Sequence, residues 1–440
     1  MSNTHTLEKP VGGYRWIILS LVFFATTVNY LDRQVISLLK DDYLEPLFNW
    51  SETDYAHIVM VFQLSYAIGM LGAGWIIDKI GTKLGYALSL TVWSLAAIGH
   101  AIARSTFGFM AARSVLGVSE SGNFPAAIKT VAEWFPKKER ALATGLFNSG
   151  TNIGAIIAPL TVPFIALTMG WEWAFIITGG IGLLWLVFWF LFYEIPSKHK
   201  KLSKQEFEYI HSDLDETSNA ANAQGNEKVR WSSLLSFRQT WAFILGKFMT
   251  DGVWWFYLFW LPTYLNKEYH MSKTDNAVPI AVVYMMTTVG SIFGGWLSGY
   301  FIKQGWPVAK ARRTAMLIFA LSVLPVVFAT TLGQISYWYA VLLIGIAASA
   351  HQAWSANIFT TVSDMFPKKA VASVTGIGGM AGGLGGLVIS QSAGVLLDHY
   401  KLIGSIETGY FIMFIICGLS YISAWVIFNA LAPGMKKVAI

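Results

Sequence analysis

The 440-residue chain has a single cysteine, Cys417, so no intrachain disulfide can form and neither a catalytic thiol nor a metal site is indicated. Charge is scarce too. Asp, Glu, Lys and Arg make up 13% of residues, about half the share found in soluble domains. No nucleotide-binding glycine loop precedes a helix, and no Gly-x-Ser-x-Gly elbow stands in a suitable context. An enzyme is therefore not expected, and no catalytic residue, cofactor or metal is assigned. The formal net charge of +6 comes from Lys and Arg in short loops, which reports membrane orientation and gives no reason to expect nucleic acid as a partner. The polar stretch Met1 to Gly13 lacks a small-residue cleavage site, so the first apolar run is read as retained.

What the chain has in quantity is apolar surface. Hydrophobic residues reach 55%, and 19 Trp and 18 Tyr suit the two interfaces of a bilayer, the expected lipid partner. Twelve runs are long enough to cross about 30 Å of hydrocarbon: 15–39, 54–77, 84–103, 107–132, 140–167, 172–194, 238–265, 275–302, 312–332, 335–362, 370–397 and 406–431. Lys79 and Lys83 follow the second run, Lys137, Lys138 and Arg140 the fourth, Arg312 and Arg313 the eighth, and Lys368 and Lys369 the tenth. Opposite loops carry Asp41, Asp42, Glu45, Glu52 and Asp54, so both termini are expected in the cytoplasm. The fold class expected is an all-α membrane protein of twelve transmembrane helices in two pseudo-symmetric six-helix halves. Its parts are a cytoplasmic N-terminus (1–14), a first bundle (15–194), a linker (195–237), a second bundle (238–432) and a cytoplasmic C-terminus (433–440). The linker, charged and Asn-rich, reads as an amphipathic helix plus a flexible connector, with a docking site as the other reading.

The halves resemble each other. Glu133-Trp134-Phe135-Pro136-Lys137-Lys138 recurs as Asp364-Met365-Phe366-Pro367-Lys368-Lys369, Ala143-Thr144-Gly145 as Val374-Thr375-Gly376, and Gly74-Trp75 as Gly295-Trp296. A duplicated six-span unit places a substrate site at the midplane between halves that rock against each other.

Asn29-Tyr30-Leu31-Asp32-Arg33-Gln34 lies inside the first run, after a charge-free stretch from Trp16 to Val28. Asp32 is about 25 Å along the helix from Trp16. An ionisable residue at such depth costs about 2.5 to 3.5 kcal/mol on insertion scales and marks function by default. Arg113 and Glu120 in the fourth run are two helical turns apart on one face. The four charges cancel, so they either tie two helices together or exchange partners during transport. The second reading is preferred because ion pairs are rarely needed for stability.

The loop Gly74-Trp75-Ile76-Ile77-Asp78-Lys79-Ile80-Gly81-Thr82-Lys83 resembles the motif between the second and third helices of the major facilitator superfamily, departing from it at Thr82, where a basic residue is usual. Tyr30 to Arg33, the stretch Arg113 to Pro125 and Trp134-Phe135-Pro136 make the chain similar to the anion:cation symporter group, most of all to bacterial hexuronate transporters. The resemblance implies the major facilitator fold, and proton-coupled symport of galacturonate and glucuronate across the bacterial inner membrane. It also implies Asp32 and Glu120 as proton sites and Arg33 as carboxylate ligand. The residues alone leave Arg33 and Arg113 both open as that ligand: either offers a planar fork and is freed when its acid partner takes a proton. Asp78 and Gly81 are read as gating residues.

Further substrate-binding candidates are Tyr66, Asn148, Asn152, Trp254, His351, Trp354 and Asn357, since amides bond hydroxyls and aromatic faces stack on sugar C–H edges. His351 stands at the repeat position of Glu120 and is expected as a neutral hydrogen-bonded group more than as a proton carrier. Lys247 and Asp251, one turn apart, are expected as a local pair near the membrane surface. The glycines from Gly376 to Gly386 are expected to allow close helix packing, and Pro125 and Pro159 to kink their helices. The chain is expected to work as a monomer. Rival readings are a carrier of another organic anion, such as an aldonate or aldarate, by symport or exchange, and a transporter-like sensor.

Overall fold

The computed structural model describes residues 12–50, 52–212, 231–269, 271 and 277–438. Its main helices are α1 Tyr14–Leu39, α2 Glu52–Ile80, α3 Thr82–Gly99, α4 Thr106–Glu120, α5 Asn123–Trp134, α6 Lys137–Met169 and α7 Trp171–Phe192. A short helix, α8 Lys204–Ile210, precedes α9 Arg238–Tyr269, α10 Ala277–Lys303, α11 Val308–Val323, α12 Tyr337–Met365, α13 Val371–Leu402 and α14 Ile406–Leu431. Counting α4 with α5 as one crossing gives the twelve expected, and the described residues contain no strand.

Among the described residues nine helices are long and apolar enough, by length and composition, to cross a membrane. The crossings that fall short are α4 with α5, α9 and α12. They carry Arg113, Glu120 and Lys129, then Lys247 and Asp251, then His351, Gln352 and Asn357. Hydropathy fails where polar side chains face the interior instead of lipid.

Span four is broken, not kinked, with α4 ending at Glu120 and α5 beginning at Asn123. Pro125 sits in the first turn of α5, where the amide it lacks would have had no helical partner. Pro159, like Pro163, lies inside the continuous helix α6.

The repeat-matched glycines form two reciprocal close approaches. A Cβ on Gly74 of α2 would run into the Ala372 carbonyl of α13, and one on Gly295 of α10 into the Ala141 carbonyl of α6. One turn along, Gly376 meets the Met70 carbonyl and Gly145 the Ser291 carbonyl in the same way. Only residues without a side chain let the backbones meet there.

The linker contributes a docked helix. Glu206 of α8 accepts hydrogen bonds from the first amides of α1, Tyr14 N and Arg15 N, each at 3.1 Å. A carboxylate there satisfies orphan donors and opposes the positive helix end. Arg15 bridges Glu206 and, at 2.9 Å, Glu139 at the start of α6, to which the Tyr209 hydroxyl also donates. Residues 195–212 of the linker are thus attached to the first six crossings, whereas Leu234 and Leu235 accept hydrogen bonds from Thr240 and Trp241 of α9; residues 213–230 of the expected connector lie outside the described residues. Glu206→Gln is expected to lower stability by about 1–2 kcal/mol, the cost of a lost charged cap. Thermal unfolding of the purified protein in detergent checks this, and an unchanged Tm would show that the cap carries no stability.

Candidate functional site

A cavity of about 450 Å³ lies between the first and last six crossings, lined from α1, α2, α5, α6, α9, α12 and α13. At the end where α1 begins and α14 finishes it is closed. Phe124 of α5 stacks on Phe359 of α12, ring centroids 5.5 Å apart, and Met70 packs over Gly376 and Gly379. Lining residues grow more accessible in the other direction, from Met70 at 3% to Leu387 at 38%.

Beyond that floor, ion pairs and hydrogen bonds of charged side chains connect the two sets of helices. Asp78 pairs with Lys129 of α5 at 2.8 Å and accepts from the first amides of α13, Ser373 N at 2.7 Å and Ala372 N at 3.4 Å. A carboxylate from one half thereby caps a helix of the other. Gly81, at φ +87, makes the turn into α3 that holds the end of α2 in place. In the other half Arg312, fully buried, donates to Asp364 (3.0 Å), Ser298 (2.7 Å) and, across the interface, the Lys137 carbonyl (2.7 Å). Arg140 crosses the opposite way to the Ser363 carbonyl at 2.7 Å and lies 3.6 Å from Asp364. Arg140 and Arg312 counted only as loop charges in the sequence. Their burial has no hydropathy signature, although Asp364 stands in the repeated loop.

At the level of the cavity, Asp32 and Arg33 diverge as neighbours on a helix must, about 100° apart. Arg33 faces the cavity, with its guanidinium 4.4 Å from the Tyr66 ring centroid and 4.7 Å from that of Tyr30. Its Nε donates to Glu120 Oε2 at 2.6 Å, while its Nη2 is buried without a partner in hydrogen-bond geometry among the described residues. Glu120 is fully buried at the end of α4. Arg113 lies behind, its Nη2 donating to the Arg33 carbonyl at 3.3 Å, and it does not line the cavity. Asp32 is buried toward α7. Neither of its carboxylate oxygens has a partner in hydrogen-bond geometry among the described residues. The Thr178 hydroxyl neighbours it but donates to the Phe175 carbonyl, at 3.4 Å.

Of the remaining candidates, Tyr66, Asn148, Trp254 and His351 line the cavity. Asn148 donates across the halves to Gln352 of α12 at 2.6 Å. His351 stacks face to face on Trp254, centroids 5.1 Å apart, and shares a 2.6 Å hydrogen bond between Nδ1 and the Tyr421 hydroxyl. Asn152, Trp354 and Asn357 are buried outside the lining. Asn357 donates to the Gly294 carbonyl of α10 and to the Ala353 carbonyl of its own helix.

Lys247 and Asp251 correct an expectation. They do pair, at 2.7 Å, but Lys247 is nine residues into α9, about 14 Å from its start. Both line the cavity between the halves, away from the end of the helix. The signal was available: Asp251 precedes Trp254 and Trp255 by three and four residues, so one helix face carries all three.

Comparison with known proteins agrees with this architecture. A hexuronate transporter of Escherichia coli (strain K12) is 30% identical over 391 residues, 89% of this chain and 89% of the relative. A galacturonate transporter of Dickeya chrysanthemi is 34% identical over 293 residues, 67% of this chain and 84% of the relative. Among solved structures, the proton:xylose symporter XylE bound to 6-bromo-6-deoxy-D-glucose superposes with a TM-score of 0.74 at 16% identity, covering 94% of each chain. The Major Facilitator Superfamily profile matches residues 22–390, nearly the whole helical body around the cavity, and the chain belongs to that family of multi-pass membrane transporters.

Proposed function

We propose that this protein imports hexuronates such as galacturonate and glucuronate across a bacterial inner membrane with protons, by alternating access. The observation that carries the reading is Arg33, a guanidinium presented to a polar, aromatic-lined cavity, whose ionic partner among the described residues is the fully buried Glu120 at the end of α4. A uronate carboxylate matches such a fork with parallel charge-assisted hydrogen bonds. Arg33 takes that role in preference to Arg113, which backs it from outside the lining. Relatives that carry uronates support the substrate class.

Asp32 and Glu120 serve as the proton-coupling acids. A buried carboxylate without a partner costs several kcal/mol when ionised and far less when protonated. Protonation of Glu120 releases Arg33 to the substrate. Tyr66, Asn148, Trp254 and His351 contact the sugar, while Asn152, Trp354 and Asn357 position the wall behind them. With the termini in the cytoplasm, as the basic loops indicate, the cavity faces outward and Asp78 with Gly81 belongs to the closed inner gate. One chain holds the cavity and its gate, so it works as a monomer, embedded in lipid.

Labelled galacturonate uptake into proteoliposomes under an imposed proton gradient tests the function. Asp32→Asn is expected to lose gradient-driven accumulation and to retain counterflow, in which labelled and unlabelled substrate exchange without net proton movement. Accumulation at the wild-type level in that variant would remove Asp32 from the coupling.

A further inference from the structure

The cavity holds a second ion pair, across from Arg33, that the scheme above leaves unused. Lys247 and Asp251 meet at 2.7 Å on consecutive turns of α9. They are not equivalent toward the cavity. The Lys247 side chain is 4% exposed, packed with its ammonium 4.0 Å from the Phe359 ring centroid, whereas the Asp251 side chain is 18% exposed. Both line the cavity, and the acid is the more exposed of the two. Its place is built: a Cβ on Gly382 of α13 would run into Asp251 Oδ2, and one on Gly386 into the Trp255 ring. Trp254, on the same helix, is held against His351, which is itself bonded to Tyr421.

A carboxylate fixed in this way is an acceptor with up to four lone-pair sites and no proton to donate. Beside aromatic faces, it suits neighbouring hydroxyls of a sugar, which donate to it. A carboxylate arriving at the same spot meets like charge, a repulsive element of the kind that sets specificity. We propose that Asp251, held in place by Lys247, is a specificity-determining residue that accepts hydrogen bonds from sugar hydroxyls and turns away a second carboxylate, so that the cavity takes sugar monoacids over sugar diacids. This rests on the sugar-acid reading above, with Arg33 taking the first carboxylate at the opposite wall.

Unlabelled galacturonate and galactarate, the same carbon chain oxidised at one end and at both, are compared as competitors of labelled galacturonate uptake in proteoliposomes. With the wild-type protein galactarate is expected to compete on the order of tenfold more weakly or worse. In Asp251→Asn the repulsion is gone and Lys247 is left to pair with the incoming carboxylate. Galactarate is then expected to improve relative to galacturonate by on the order of tenfold. A gain of this kind is not produced by misfolding. If Asp251→Asn does not assemble, Lys247→Gln with Asp251→Asn removes both charges, and the preference is expected to narrow there also. Equal competition by the two acids in the wild type, or a preference unmoved in these variants, overturns the inference while leaving the sugar-acid reading intact. Absence of any galacturonate uptake by the wild type overturns that reading and this inference with it.

Discussion

Replacing Arg33 by glutamine is expected to lower the initial rate of galacturonate uptake by on the order of a hundredfold. Hydrogen bonds to a charged partner contribute about 1.5–3 kcal/mol each, and the guanidinium fork supplies two to a carboxylate. Losing one or two of them corresponds to roughly ten- to ten-thousand-fold in binding. Stability is affected too, because Glu120, fully buried, loses the cation 2.6 Å away. Breaking one side of such a pair costs about 3–5 kcal/mol. The double variant Arg33→Gln, Glu120→Gln separates the two effects: it is expected to recover thermal stability in detergent and to remain inactive in uptake. Arg33→Lys keeps the charge without the fork and is expected to fall between wild type and Arg33→Gln. Wild-type uptake by Arg33→Gln would remove this residue from substrate binding.

Arg33 was legible because an ionisable pair in a charge-free run has few bland explanations. The close-approach glycines were legible as well, since Gly74, Gly145, Gly295 and Gly376 all sit in segments that the two halves share. What the sequence blurred is which face of a polar helix looks inward. On α12 the lining residues His351, Gln352, Ser355 and Phe359 fall within about 100° of arc at 100° per residue. Asn357 then points to the far side, where it bonds the α10 backbone, and Trp354 lies off the edge. A list of polar and aromatic residues cannot make that choice until one of them is anchored. Charges at helix ends posed the converse problem. Arg140 and Arg312 look in sequence like solvated loop residues, and only the partner half, which covers them, shows otherwise.

The second large effect is expected at that covered interface. Asp364→Asn leaves the Arg312 guanidinium buried without its carboxylate, and the cost applies to the conformation in which Arg312 is buried. In a conformation where this end opens, water solvates the arginine and the penalty is relieved. A differential of about 3–4 kcal/mol shifts the equilibrium between the two conformations by roughly 10²–10³-fold. The single cysteine makes the shift measurable, since Cys417 is buried and Cys417→Ser supplies a background free of thiols. Ser373→Cys then reports the locked end, where Asp78 caps α13, and Ser390→Cys reports the open mouth of the cavity. In Asp364→Asn the first is expected to gain and the second to lose reactivity toward a membrane-impermeant thiol reagent applied to its own side. Gly376→Ala should push the same way with every charge retained, because its Cβ meets the Met70 carbonyl only while the halves are closed. Agreement between the two variants would assign the closed state to packing and charge together. Movement in Gly376→Ala alone would mean that the buried ion pairs at this end align the halves without holding them shut.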